Sequence, residues 1–163
     1  MTWQEEKRWS DRFLPEIKRI LGELFIGEAP QEEDAERNTD LIVLKLEPLR
    51  FACRVRRHGY LARYSDEFTI RASLKSGAKT ELTKIIEGWG DYLFYGFSDV
   101  EEKLLAKWTI INLSAFRLWY MRKLAAGIHP GTAQSNHDES SGFIAFALTD
   151  MPDAIANRDM MER

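Results

Sequence analysis

Residues 38–57 read NTDLIVLKLEPLRFACRVRR, and the way this stretch folds decides the architecture. The run LIVL at 41–44 is apolar on both faces, which predicts an interior strand over about 40–47. Pro48 turns the chain, since proline fixes φ and offers no ladder donor. LRFACRVRR at 49–57 returns as a second strand, with Phe51, Cys53 and Val55 on one face and Ala52, Arg54 and Arg56 on the other. Such a hairpin starts with a carboxylate, Asp40, and carries two guanidinium groups side by side.

Upstream, Phe13, Ile17, Ile20, Leu21 and Leu24 recur at helical spacing behind Ser10 and Asp11, either of which can cap the helix. Downstream, HGYLARYS (58–65) reads as a loop and DEFTIRAS (66–73) alternates, with Phe68, Ile70 and Ala72 apolar and Glu67, Thr69 and Arg71 polar. In TELTKIIEGW (80–89) the residues Leu82, Ile85, Ile86 and Trp89 fall at i, i+3, i+4 and i+7, a short amphipathic helix ended near Gly88 or Gly90. DYLFYGF (91–97) is an aromatic strand, SDVEEKLLA (98–106) one or two helical turns, and KWTIINL (107–113) a further strand. Ser114 caps a helix closed by Gly127, HPGTAQSNHDESSG (129–142) is a polar loop, GFIAFAL (142–148) a last strand, and TDMPDAIA (149–156) a short terminal helix. The predicted order is helix, three-strand meander, helix, two strands, helix, strand, helix. That is an α+β chain with a mixed sheet flanked by helices.

At 163 residues, with 44% apolar and 12% aromatic side chains, the chain can bury roughly 70% of its unfolded surface in one core, so a single domain over 1–163 is expected. No apolar run approaches a membrane span, and one cysteine excludes a disulfide framework. The charged start MTWQEEKRWS does not fit a signal peptide, so the cytoplasm is the expected compartment. The net charge of -3 is unevenly spread: residues 23–47 hold eight acids and two bases, residues 50–79 eight bases and two acids. Neighbouring blocks of this kind either pair with each other on folding or set a basic surface beside an acidic site, as in proteins that process phosphodiesters. His58, His129 and His137 fall in loops without partners at metal-ligand spacing, and phosphate-loop, dinucleotide and nucleophile-elbow motifs are absent. Trp89, Tyr92, Phe94, Tyr95 and Phe97 lie at helix and strand spacing that predicts core packing over base stacking.

The order helix, meander, helix, strand over about 10–97, with FTIR at 68–71, TELTKI at 80–85 and FYGF at 94–97, resembles the PD-(D/E)XK nuclease-like superfamily and small phage and bacterial proteins of that type. The resemblance implies a restriction-endonuclease-like αβββαβ core with a C-terminal extension over about 98–163. It also implies a nucleic-acid substrate and hydrolysis dependent on Mg²⁺ or Mn²⁺. Active members hold a hard cation with clustered carboxylates and offset the charge of the scissile phosphate with a lysine. Asp40 matches the first acid, with Glu23 or Glu16 as the helix acid, but Arg54-Val55-Arg56 stands where a D/E-x-K would be. The displaced motif would be Glu67 as a ligand, with Glu81 and Lys84 supplied from the following helix. Arg54, Arg56 and Arg71 would grip phosphates, since guanidinium groups give bidentate hydrogen bonds and repel a divalent cation. The alternative is an inactive module of the same fold that binds nucleic acid or a host protein. Simpler roles stand beside these: Asp40 satisfying backbone groups at a strand start, Glu81 and Lys84 pairing on a helix surface, and the arginines facing water from an edge strand.

Overall fold

The structure is a computed structural model that describes residues 3–28, 41–43, 49–135 and 141–158. Asp40, and the remainder of the strand expected over 40–47, lie outside the described residues.

Two helices open the chain, α1 (Trp3–Asp11) and α2 (Leu14–Phe25). The helix expected behind Ser10 and Asp11 is α2, with Pro15 in its first turn, where a missing N–H costs no intrahelical bond, and α1 is a further helix ahead of it. Short strands β1 (Ile26–Glu28) and β2 (Leu41–Val43) pair antiparallel as their own two-stranded ribbon. Then come β3 (Phe51–Arg56), a 3₁₀ turn at His58–Tyr60, one turn of helix α3 (Leu61–Tyr64), and β4 (Glu67–Leu74). Helix α4 (Glu81–Ile86) leads to β5 (Tyr92–Ser98) and β6 (Leu105–Asn112), followed by α5 (Leu113–Ala125). The chain continues through β7 (Thr132–Ser135), β8 (Ser141–Ala147), two 3₁₀ turns, and β9 (Ile155–Arg158). The described residues thus form an α+β protein with five helices, a mixed four-stranded sheet in the order β3-β5-β6-β9, and an antiparallel three-stranded sheet in the order β4-β8-β7. No helix among the described residues is long and apolar enough to cross a membrane.

Among the described residues the expected three-strand meander is not formed. β2 pairs with β1, β3 lies parallel to β5, and β4 pairs with β8, so three strands adjacent in sequence enter three different sheets. The cause is in the apolar faces. β5 is buried on both sides, with Leu93, Tyr95 and Phe97 toward one core and Phe94 toward another, and it takes β3 and β6 as its two neighbours. Phe68 and Ile70 of β4 instead join Phe146 of β8 and Phe116 of α5 in the larger core. Phe13, Ile17 and Ile20 of α2 and its approach pack with Val55, Phe94 and Ile110 on the opposite face of the four-stranded sheet.

Other local departures have equally specific reasons. In place of helical turns over 98–106, residues 99–104 form the β5–β6 connection, closed by Asp99 N–H to Leu104 O at 2.8 Å and by Glu102 in the left-handed region at φ 55°. Residues 58–65, expected as a loop, hold the 3₁₀ and α3 turns. Within the expected loop 129–142, Thr132–Ser135 adds a polar edge strand to β8. The expected terminal helix is two 3₁₀ turns and β9, because β6 otherwise has an open edge and Ile155 pairs there with Ile111. Asn112 caps α5 in place of Ser114, accepting from the Ser114 and Ala115 amides at 2.9 and 3.1 Å.

Candidate nucleic-acid interface

β3 is an edge strand, so its second side has no ladder partner among the described residues. A cleft of about 640 Å³ runs along it, between α1 on one side and β4 and β8 on the other. The alternation of β3 sends Val55 into the core beneath α2 and turns Arg54 and Arg56 to the opposite face, in register with Tyr95 and Phe97 of β5. β4 presents Glu67, Thr69 and Arg71 from one face in the same way, with Phe143 of β8 directly opposite Arg71. Lys7, Arg54, Arg56, Arg57 and Arg71 therefore line one cleft with only Glu6 and Asp11 as acids.

The cations are held in different ways. Arg54 is half-buried and bridges the two sheets: Nη1 donates to Thr69 O at 2.7 Å and Nη2 to Glu81 Oε2 at 2.5 Å. The same carboxylate oxygen accepts from the Arg71 amide at 3.1 Å. Arg56 lies over the Tyr60 ring, 4.5 Å from its centroid. Arg57 is tied to Glu102 at 2.7 Å and stacks on Trp9, while Lys7 pairs with Asp11 at 2.6 Å. Hydrogen bonds from Arg57 and Trp9 hold the Glu102 carboxyl below its ordinary range, so that cluster fastens α1 to the β5–β6 connection. The side chains of Arg56 and Arg71 make no ion pair among the described residues.

Two hollows adjoin this cleft. One, of about 60 Å³, brings Glu67 beside Arg56, Tyr60 and Thr69. The other, of about 440 Å³, shares Arg54 and Arg71 with the main cleft and adds Glu81, Lys84 and Trp89. Six of the residues singled out in the sequence, Arg54, Arg56, Arg71, Glu67, Glu81 and Lys84, thus border three neighbouring spaces. Glu16 and Glu23 do not join them. Glu16 accepts from the Leu105 amide at 2.9 Å and Glu23 pairs with Arg19 at 2.5 Å, both on α2, across the sheet from Arg54. The first-helix acid is on the wrong side because α2 covers the Val55 face, and the arginines use the other.

A hard cation needs several oxygen donors at one point. Among the described residues no three of His, Cys, Asp and Glu come together, and Glu81 Oε2 already takes two protein donors. Glu67 and Glu23 are thus not gathered into a three-ligand site among the described residues, and Asp40 lies outside them. Glu81 is not paired with Lys84 on the helix surface but turned toward Arg54.

Sequence reasoning missed three contributors. Lys7 arrives on a helix whose polar composition hid it, and Tyr60 sits in a segment read as a loop. Trp89, expected in the core, is 66% exposed. α4 ends with Gly88 N–H to Ile85 O and Trp89 N–H to Lys84 O, with Gly88 at φ 99°, a glycine stop that swings the indole outward. That signal was present in the sequence as GWG.

Cys53 is exposed on the cleft wall, where displacement of part of its hydrating water by the surrounding protein pushes its thiol above the ordinary range. Its thiolate accordingly appears at higher pH than that of a free cysteine. Alkylation by iodoacetamide at pH 8 should be slower than for a cysteine peptide; a rate equal to or above the peptide's would contradict the raised thiol.

Compared with family models, curated proteins and solved structures, the chain matches none.

Proposed function

We propose that the protein binds the phosphodiester backbone of nucleic acid along β3, as a nuclease-like module that grips phosphates without cutting them. The observation that carries this is the convergence of Arg54, Arg56 and Arg71 from two sheets on one cleft, with the last two free of ion pairs among the described residues. Planar guanidinium groups match phosphate oxygens two at a time, and the strand pleat turns Arg54 and Arg56 to the cleft side of β3 while Val55 enters the core. A net charge of -3 leaves the attraction local to this cleft and not spread over the whole surface.

Support for a restriction-endonuclease-like ancestry is narrower. β3 and β5 are parallel across a connection that includes α4, and α4 brings Glu81 and Lys84 beside the Arg54-Val55-Arg56 strand. The pairing of β2 and β4 outside that sheet departs from the expected core. Glu81's engagement by Arg54 favours binding over metal-dependent hydrolysis. Incubation with plasmid and single-stranded DNA in Mg²⁺ or Mn²⁺, with and without EDTA, should give no cleavage; cleavage abolished by EDTA would establish the nuclease instead.

Binding itself is tested by salt titration with a fluorescent oligonucleotide. Three phosphate contacts on a single strand predict a slope of log K against log salt near about -2. Arg71→Ala should weaken binding and flatten the slope by about 0.7. Affinity indifferent to salt would remove the phosphate grip.

A further inference from the structure

Trp89 is the side chain that the phosphate grip leaves unexplained. Its indole is 66% exposed, at a turn rigidly closed by two glycines with positive φ, Gly88 and Gly90. It is not at a remote surface. The indole lines the hollow of about 440 Å³ that shares Arg54 and Arg71 with the main cleft, and Lys84, which makes no ion pair among the described residues, stands in the same wall. Glu81 is the carboxylate there, already bound by Arg54 and by the Arg71 amide. At the other end of the arginine row, Tyr60 is 43% exposed beneath Arg56.

A large aromatic surface next to cations suits a flat, uncharged ring attached to an anion. Bases present such faces when they are unpaired; inside a duplex they are stacked on one another and unavailable to an indole. We infer that the hollow beside Trp89 takes an unpaired base while Arg54 and Arg71 hold the adjoining phosphates, so that the ligand class is single-stranded nucleic acid. This rests on the phosphodiester reading above and narrows it. The base would be recognised by its face, without sequence preference, because every base has one.

The test compares a dozen-residue oligothymidylate with its duplex on oligodeoxyadenylate, by anisotropy at fixed low salt, for the wild type, Trp89→Ala and Trp89→Phe. The indole is exposed, so neither variant should disturb folding, which circular dichroism checks. Expected are tighter binding of the single strand than of the duplex, a loss of about tenfold or more for Trp89→Ala on the single strand alone, and substantial recovery in Trp89→Phe. Equal binding of both forms, or a Trp89→Ala variant as tight as the wild type, would overturn the stacking inference and leave the phosphate grip standing. If neither probe binds the wild type at low salt, the phosphodiester reading itself fails.

Discussion

Replacing Phe116 with alanine should lower the stability of the protein by about 3–5 kcal/mol. Phe116 is fully buried in α5, and four aromatic partners surround it: Phe146 at 5.2 Å between centroids, Phe68 and Tyr120 at 5.8 Å, and Trp119 at 5.9 Å. Phe68 belongs to β4 and Phe146 to β8, so this ring joins the three-stranded sheet to the helix that follows the other sheet. Aromatic neighbours of this size cannot collapse fully into the space left by a benzyl group, so the cavity adds to the lost transfer energy. Urea unfolding should show a lower midpoint with an unchanged slope. Leu118→Ala, on the same helix but 53% exposed, should stay within about 0.5 kcal/mol of the wild type and serves as control. A Phe116→Ala variant losing less than 1 kcal/mol would mean that α5 does not sit over β4 and β8 as described.

The second large effect belongs to Glu81, and it should act on stability and binding in opposite directions. Its carboxylate and the Arg54 guanidinium are each 24% exposed, so neither is well placed to recover full hydration when the other is removed. Glu81→Ala leaves the Arg54 charge half-buried and deprives the Arg71 amide of its acceptor. Removing one member of a buried pair is costly, and partial exposure here moderates the loss to about 2 kcal/mol. The same change deletes the carboxylate of the hollow beside Trp89 and releases Arg54 toward the cleft, so affinity for an oligonucleotide should rise several-fold. Arg54→Ala with Glu81→Ala completes a double-mutant cycle, whose coupling should exceed about 1 kcal/mol. Glu81→Ala that is destabilised yet binds no more tightly would show that the carboxylate does not oppose the ligand.

What the sequence made legible was local. The alternation of Glu67-Phe68-Thr69-Ile70-Arg71 predicts both a strand and which side chains share a face, and in the structure Thr69 and Arg71 line the cleft while Glu67 lines the small hollow beside it. The same holds for Arg54 and Arg56 against Val55. Pairing was not legible, since the period of a strand says nothing of its neighbour: the proximity of 40–47, 49–57 and 66–73 suggested a meander, whereas β3 finds its partner at 92–98 and β4 at 141–147. Helix α1 was missed because WQEEKRWSD carries little apolar periodicity and is anchored largely through Trp9, which meets Phe13, Arg57 and Glu102. Glu81 was visible as a first-turn acid, but only the fold could reveal that it crosses to Arg54 instead of staying with Lys84. Of the candidate metal and phosphate ligands, Asp40 alone lies outside the described residues.

The two banks of the arginine cleft are built from ladders that close over very different stretches of polypeptide. Arg54 and Arg56 depend on residues 92–98, whereas Arg71 depends on residues 141–147. No excerpt that ends before residue 141 can therefore hold all three guanidinium groups in place: it would retain every one of them by composition, yet strip Arg71's strand of its scaffold. The proposed phosphate grip therefore requires the finished tertiary structure, and a minimal peptide cut from 50–80 would possess the charges without the shape.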